Sequence, residues 1–399
     1  MATTKPDLPK TDLPVLIVGG GIGGLAAAYA LALKGYPSIV LEQAPEFAEI
    51  GAGIQLGPNV FRMFDRLGIR GPIMELAVLP ETLVMRDAIT AEEVTSIPAG
   101  SPFLDRFGYP YAVIHRADLH RVLLEVCKTS NLIQLRTNAK VTAVADKGSH
   151  AALTLDTDET IEGAALIGAD GLWSMVRQHI VGDGRPRISG HIAYRAVLPT
   201  TEMPEDLRWQ SMVLWAGEKR HLVHYPLRTG QLFNLVAVFH SNRFTEGWND
   251  YGDAEELQER FQGSCPAVET LLAKIESWRM WVLCDRDPVK NWSQGRLTLL
   301  GDAAHPTLQY LAQGACMAIE DAVCLADRAE KHQGDFAAAF LDYQEARYLR
   351  TARVQLTARL YGEVYHASGV ARELRNVTLA SRTPAQAFEA MSWLYDFEG

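Results

Sequence analysis

Apolar positions crowd together first between Leu13 and Leu33, where the chain carries no charge. Their texture changes partway along. The β-branched run in "LPVLIVGG" predicts a short buried strand, the glycines a turn, and "IGGLAAAYALALKG" an Ala- and Leu-rich helix stopped by Gly35. "PSIVLEQ" predicts a second strand, completing β-α-β. The stretch is long and apolar enough to cross a bilayer, but Pro14 and the five glycines of "GGGIGG" suit a soluble strand, turn and helix better. No integral membrane segment is expected.

Farther along, "IHRADLHRVLLEVCK" has helical spacing, with Leu119, Val122, Leu123 and Val126 on one stripe. "LIQLRTN", "VTAVAD" and "AALTLDTD" read as strands, and "ALIGADG" as a buried strand ending in a sharp turn. From about residue 187 to 284 the chain is rich in Val, Trp, Tyr and Phe, with hairpin-like runs such as "HIAYRAVLP", "SMVLWAG", "RHLVHYPL" and "LFNLVAVF". A mostly antiparallel sheet follows from that composition. At Arg296 the parallel-type signature returns in "RLTLLGDAAHP", succeeded by helices. The whole predicts an α/β fold. A Rossmann-like nucleotide-binding domain in three pieces (1–76, 108–182 and 285–335) is interleaved with a mostly antiparallel β-sheet substrate domain (77–107 and 183–284), and C-terminal helices occupy 336–399.

Composition narrows the partners. A net charge of -10 with dispersed basic residues argues against nucleic acid and against a polybasic membrane anchor. The five cysteines, Cys127, Cys265, Cys284, Cys316 and Cys324, are widely spaced and form no CxxC pair, so neither a disulfide framework nor a metal site is indicated. A reducing, cytoplasmic setting is expected.

Gly19, Gly21 and Gly24 supply GxGxxG directly between the first strand and helix. In that context the first glycine permits the turn, the second lets a pyrophosphate approach the backbone, and the third lets helix and strand pack closely. Glu42, ending the second strand, is placed to accept hydrogen bonds from a ribose. "GADGLWSMVR" and "GDAAHP" resemble the two further motifs of the class A flavoprotein aromatic hydroxylases, the FAD monooxygenases, as do "GAGIQLGPNVFRMFDRLGI" and "IHRADLH". The resemblance runs in order from about residue 13 to 330 and implies FAD as cofactor. By position it places Asp170 and Arg177 on a structural turn near the dinucleotide and Asp302 on the ribityl chain. It places Gln55 on the flavin side and Arg116 near the FAD ribose or pyrophosphate. A helix starting at Gly314 and Ala315 would aim its amides at the negative charge of a reduced flavin. With one dinucleotide fingerprint taken by FAD, NADH is expected to dock transiently, and O2 to be activated as a flavin hydroperoxide. The family also suggests a homodimer.

In "RHLVHYPL", strand alternation puts His221, Val223 and Tyr225 on one face and Leu222 and His224 on the other. His221, able to change charge near neutral pH, is the candidate general base for a phenolic substrate, and Tyr225 a relay or orienting group. Gln309 stands where many relatives carry proline, and would offer both its carbonyl and its amide to the substrate. With "LQYLAQGA", these residues resemble the branch that hydroxylates 3-hydroxybenzoate para to its phenol, giving gentisate. Decarboxylating hydroxylases of salicylate or 6-hydroxynicotinate remain the alternative within the family. A flavin reductase without oxygenation and a non-catalytic nucleotide-binding module remain outside it. No residue emerges as the donor for the substrate carboxylate.

Overall fold

The computed structural model describes residues 13–48, 51–242, 248–275 and 277–398. Its centre is the strand Val15–Val18, buried along its whole length and flanked by parallel neighbours Ser38–Leu41 and Ala165–Gly168. Ile133–Arg136 and Leu297–Leu299 extend this parallel sheet on either side, and the short Ser293–Gln294 closes one edge antiparallel. A central parallel strand is covered on both faces, which is why its sequence is an unbroken apolar run. The helices Ile22–Leu33 and Gly314–Lys331 pack against one another beside this sheet.

The second sheet has eight strands in the order 248–251, 279–285, 187–199, 232–240, 220–227, 211–217, 82–87 and 93–98. Every pairing is antiparallel except that of Ser211–Gly217 with Thr82–Asp87, which joins two distant stretches of chain. Alternation divides its side chains between two cores. Phe233, Leu235, Ala237 and Phe239 enter an apolar layer with Trp215, Leu222 and Trp278, beneath the helices Ala254–Phe261 and Pro266–Ala273. Val223, Tyr225, Val236 and Val238 face the other way, into the core shared with the parallel sheet. The architecture is the α/β arrangement expected: a parallel nucleotide-binding sheet, a mostly antiparallel sheet and C-terminal helices.

Two further elements position the cleft. Gly53–Leu56 pairs antiparallel with Ala112–His115, a small ribbon that the apolar pattern does not disclose. The helix Phe336–Tyr365 is 30 residues long, ~45 Å at the usual rise. Arg347 anchors it, lying buried between Glu320 and Asp321 at 2.7 and 2.6 Å. Burying two carboxylates is expensive unless each is neutralised, and here Arg350 also reaches Glu320 at 2.7 Å. Among the described residues, no helix is long and apolar enough to cross a membrane.

Candidate active site

A cavity of about 750 Å³ opens between the two sheets. At one end stands the glycine turn. Gly19 has φ +108°, and a Cβ on Gly24 would lie 2.0 Å from the Gly19 carbonyl oxygen, so strand and helix approach too closely for a side chain there. The helix Ile22–Leu33 begins with no side-chain cap, leaving its first amides open to the cavity with Gly20, Gly21 and Gly23. Glu42 accepts hydrogen bonds from the Gly20 and Ala44 amides, both at 2.9 Å, which holds its carboxylate at the rim of the turn. Arg116 and Gln55 also line the cavity. Gln55 is fixed by a hydrogen bond from the Tyr111 hydroxyl.

The turn Gly301–Pro306 forms the next wall. Asp321 ties it to its own following helix, accepting from the Gly301 amide at 3.1 Å and meeting the His305 ring at 2.5 Å. Those contacts and Arg347 hold the Asp321 carboxyl well below the usual carboxylate range despite burial. Arg177 bolts the same turn to the "GADG" segment, donating to the carbonyls of Ala303 and Ala304 while paired with Asp183 at 2.6 Å. Asp170 caps the short helix Met175–Ile180, accepting from the Met175 amide at 2.8 Å and the Ser174 hydroxyl at 2.5 Å. Asp302 faces the cavity beside Gly314 and Ala315, where the helix Gly314–Lys331 begins, again without a side-chain cap. Two uncapped helix N-termini and a glycine cradle therefore open on one space, which is the donor set that a pyrophosphate and an anionic isoalloxazine require. The residues present fit FAD.

The far end is built by the antiparallel sheet. His221, Val223 and Tyr225 line it together. Tyr225 packs so closely on Gly53 that a Cβ there would meet its ring at 2.4 Å. Burial raises the Tyr225 phenol, and Arg195, Gln55 and Asn234 pull it partly back. Gln309 sits on a single helical turn closed by Ala312, whose φ of 52° is a left-handed conformation that non-glycine residues seldom adopt. Its Oε1 accepts from Arg195 Nη2 at 2.6 Å. Arginine can only donate, so this contact fixes the amide's orientation. One lone pair of the Gln309 carbonyl is thus taken by Arg195, while no hydrogen bond of its NH2 is seen among the described residues.

Arg195 is absent from that reading and is central here. Its strand, Arg187–Pro199, brings it to the cavity wall, stacked 5.4 Å from the Trp281 ring. Its Nε has no hydrogen-bond partner, and no carboxylate pairs with it among the described residues. The side chain is half-buried on the cavity wall, and burial lowers its pKa, with Tyr225 opposing the effect and Arg116 adding to it.

His221 also differs from expectation. Burial, with His191 and His240 nearby, pushes it down to about 3, so it stays neutral near pH 7 rather than changing charge there. Its Nδ1 meets His366 Nε2 at 2.8 Å, and His366 Nδ1 meets His240 Nε2 at 2.9 Å. His191 stacks on His240 at 4.0 Å and meets the Tyr310 hydroxyl. Neither His366 nor its partners His191 and His240 carries a local sequence signal.

Comparison with known proteins agrees with this geometry. The family described as the FAD binding domain matches residues 12–357. A 3-hydroxybenzoate 6-hydroxylase of Polaromonas naphthalenivorans (strain CJ2) is 48% identical over 385 residues, covering 96% of each chain. The 3-hydroxybenzoate 6-hydroxylase 1 of Aquipseudomonas alcaligenes is likewise 48% identical over 385 residues, covering 96% of this chain and 98% of its own. A crystal structure of Klebsiella pneumoniae HpxO complexed with FAD and uric acid has a TM-score of 0.85 at 26% identity, covering 98% of this chain and 99% of that one. The chain belongs to the FAD-binding-domain family of flavoprotein monooxygenases. It is an enzyme, and FAD is its cofactor.

Proposed function

We propose that this enzyme is a 3-hydroxybenzoate 6-hydroxylase, consuming 3-hydroxybenzoate, NADH and O2 and releasing gentisate. The observation that carries the reading is Arg195. A half-buried guanidinium whose Nε is unpaired, with no carboxylate partner among the described residues, gains when an anion arrives. It lines the cavity shared by His221, Tyr225 and Gln309. An acid with a phenol on the same small ring satisfies both requirements, and relatives 48% identical carry that substrate in their names.

The chain's own groups then have separable tasks. Arg195 holds the carboxylate, and the Gln309 NH2 donates beside it. His221 Nε2 takes the phenolic proton, because an ionised phenol activates the position para to it. Tyr225 orients the phenolate oxygen. FAD, when bound at the glycine cradle, supplies electron transfer from the nicotinamide and the activation of oxygen. Gly19, Gly21, Gly24, Glu42, Arg116, Asp170 and Asp302 hold it from the dinucleotide end, and Gln55, Gly314 and Ala315 from the flavin end.

The decisive measurement is oxygen uptake and product identity with 2-, 3- and 4-hydroxybenzoate and 6-hydroxynicotinate. Gentisate from 3-hydroxybenzoate without carbon dioxide is the expected result. Carbon dioxide release would replace the reading with a decarboxylating hydroxylase.

All five cysteines are free and four of them are buried, which supports a cytoplasmic setting. A homodimer is supported by apolar stripes left exposed on the last helices, Leu349, Leu356 and Leu360 on one and Val370, Leu374 and Val377 on the next. A sedimentation mass equal to a single chain at micromolar concentration would remove the dimer.

A further inference from the structure

A buried imidazole with so little affinity for protons is a poor place to leave one. His221 is 3% exposed, and a phenol in water holds its proton near pKa 10, as tyrosine does. Its neighbours offer a way out. From the cavity, the contacts run His221 Nδ1 to His366 Nε2 at 2.8 Å, then His366 Nδ1 to His240 Nε2 at 2.9 Å. His240 is half-buried, at the end of the strand Leu232–His240. We propose that His221, His366 and His240 form a proton relay that carries the substrate's phenolic proton from the cavity toward the surface, with His366 as its middle link. The proposal rests on the reading of His221 as the group that meets a phenol.

Imidazole chemistry limits what such a row can do. Each neutral ring has one N–H and one lone pair, so three rings stay hydrogen-bonded only when all donate in the same sense. In one neutral state His221 donates to His366 and His366 to His240. That leaves a lone pair on His221 Nε2 and an N–H on His240 Nδ1. In the other state every proton has moved one place, so that His221 Nε2 bears the hydrogen and His240 Nδ1 the lone pair. Accepting the phenolic proton at His221 Nε2 and releasing one from His240 Nδ1 converts the first state into the second. No ring retains a charge. Departure of the product as a neutral phenol, with His240 taking a proton back from water, resets the row.

The surroundings keep both states open. Among the described residues no carboxylate hydrogen-bonds to any of the three rings, so none is pinned to one tautomer as a histidine held by an acid is. Facing the row are His191 from the strand Arg187–Pro199, and Tyr310 and Tyr365 beside His221. Glu363 and Lys219 act on His240 with opposite signs, and Arg187 acts on His191. His191, His240 and His366 place nitrogens within 4.8 Å of one another. The first two rings are stacked 26° from parallel, however, so their lone pairs run side by side and do not converge as a metal requires.

His366 is held firmly. It caps the helix Phe336–Tyr365; its carbonyl accepts from the Lys219 amide at 3.2 Å, and the Lys219 carbonyl accepts from the His240 amide at 3.0 Å. Arg375 donates to the Val364 and Tyr365 carbonyls just before it.

The test uses the full-length, FAD-loaded enzyme and His366→Gln, which fills similar space but cannot exchange a donor for an acceptor on a proton's passage. Oxidised enzyme is mixed with 3-hydroxybenzoate, and separately with plain phenol, while an indicator dye follows proton release and ultraviolet absorbance follows phenolate. His366→Gln should bind FAD and both ligands, yet release the proton ~10²-fold more slowly, the low end of what a positioned base contributes. The pH needed to ionise the bound phenol should rise. His240→Ala, at the outer end, should be rescued by imidazole, and His366→Gln should not. Loss of signal with the acid alone removes the substrate reading and leaves the relay standing on phenol. Equal proton release by wild type and His366→Gln with both ligands overturns the relay. One tightly held zinc ion per chain, lost in His366→Gln, overturns it in favour of a metal site.

Discussion

His221 and His224 stand three residues apart on one strand and face different media. Both are buried, and burial pushes both down to about 3. On the His224 side the ring lies among Trp209, Trp215 and Phe233, and neither nitrogen has a hydrogen-bond partner among the described residues. On the His221 side one nitrogen is tied to His366 and the ring lines the cavity. An equal loss of proton affinity therefore says nothing about role. What separates the two is connection: one ring has somewhere to take a proton from and somewhere to send it, and the other has neither.

The sharpest way to break this contrast is His221→Ala. Hydroxylation should fall by ~10² to 10⁴-fold, with flavin reduction much less affected and the oxygen recovered as hydrogen peroxide. Gentisate and peroxide measured together decide it: an unchanged peroxide fraction would make His221 a packing residue.

Arg195→Met probes the same face by charge. Truncating one partner of a desolvated charge pair costs about 2–5 kcal/mol, so 3-hydroxybenzoate should bind ~10²-fold more weakly. Binding of 3-hydroxybenzamide, which lacks the anion, should change little. Equal losses for acid and amide in ligand titrations would deny Arg195 its carboxylate.

The smallest effect belongs to the other face. His224→Phe should leave hydroxylation intact, since the ring touches only the apolar core, and should alter stability at neutral pH by about 1 kcal/mol or less. It should show itself in acid. The folded pKa values of His191, His221 and His224 are about 4, 3 and 3, against an ordinary 6.5. Between those limits the unfolded chain binds protons that the folded chain refuses, so stability is full above pH 6.5 and declines as pH falls toward 4. Removing His224 should flatten that decline, visible as a smaller Tm difference between pH 7.5 and pH 5.5. An unchanged pH dependence would show that His224 titrates alike folded and unfolded.

The same contrast explains how far the sequence could be read. Two-residue alternation is a local property, so it places His221, Val223 and Tyr225 on one face before any partner is known. The unbroken run Val15–Val18 announces a strand covered on both sides, and the glycines between it and the first helix announce a nucleotide turn. Arg195 and His366 arrive by other means. Arg195 reaches the cavity because its strand pairs with Leu232–His240, and His366 because a long helix returns to the sheet. Neither pairing is written in a local period. One trace was available: Arg195 interrupts the apolar run "HIAYRAVLP", and a charge inside a buried strand needs a reason.

The helices after residue 336 have a further consequence. Asp87, on the antiparallel sheet, receives Arg372 through two contacts of 2.7 Å, and Arg375 lies beside them, so this carboxylate gathers charged contacts from the helix that follows His366. The glycine cradle does not depend on that attachment. Local opening costs less free energy than global unfolding, so gentle heating or limited proteolysis should loosen this end first. Such a molecule would stay yellow while, on the proposed function, wasting its oxygen as peroxide. For this enzyme colour is a poor measure of integrity, and the ageing of a preparation would be read from its coupling.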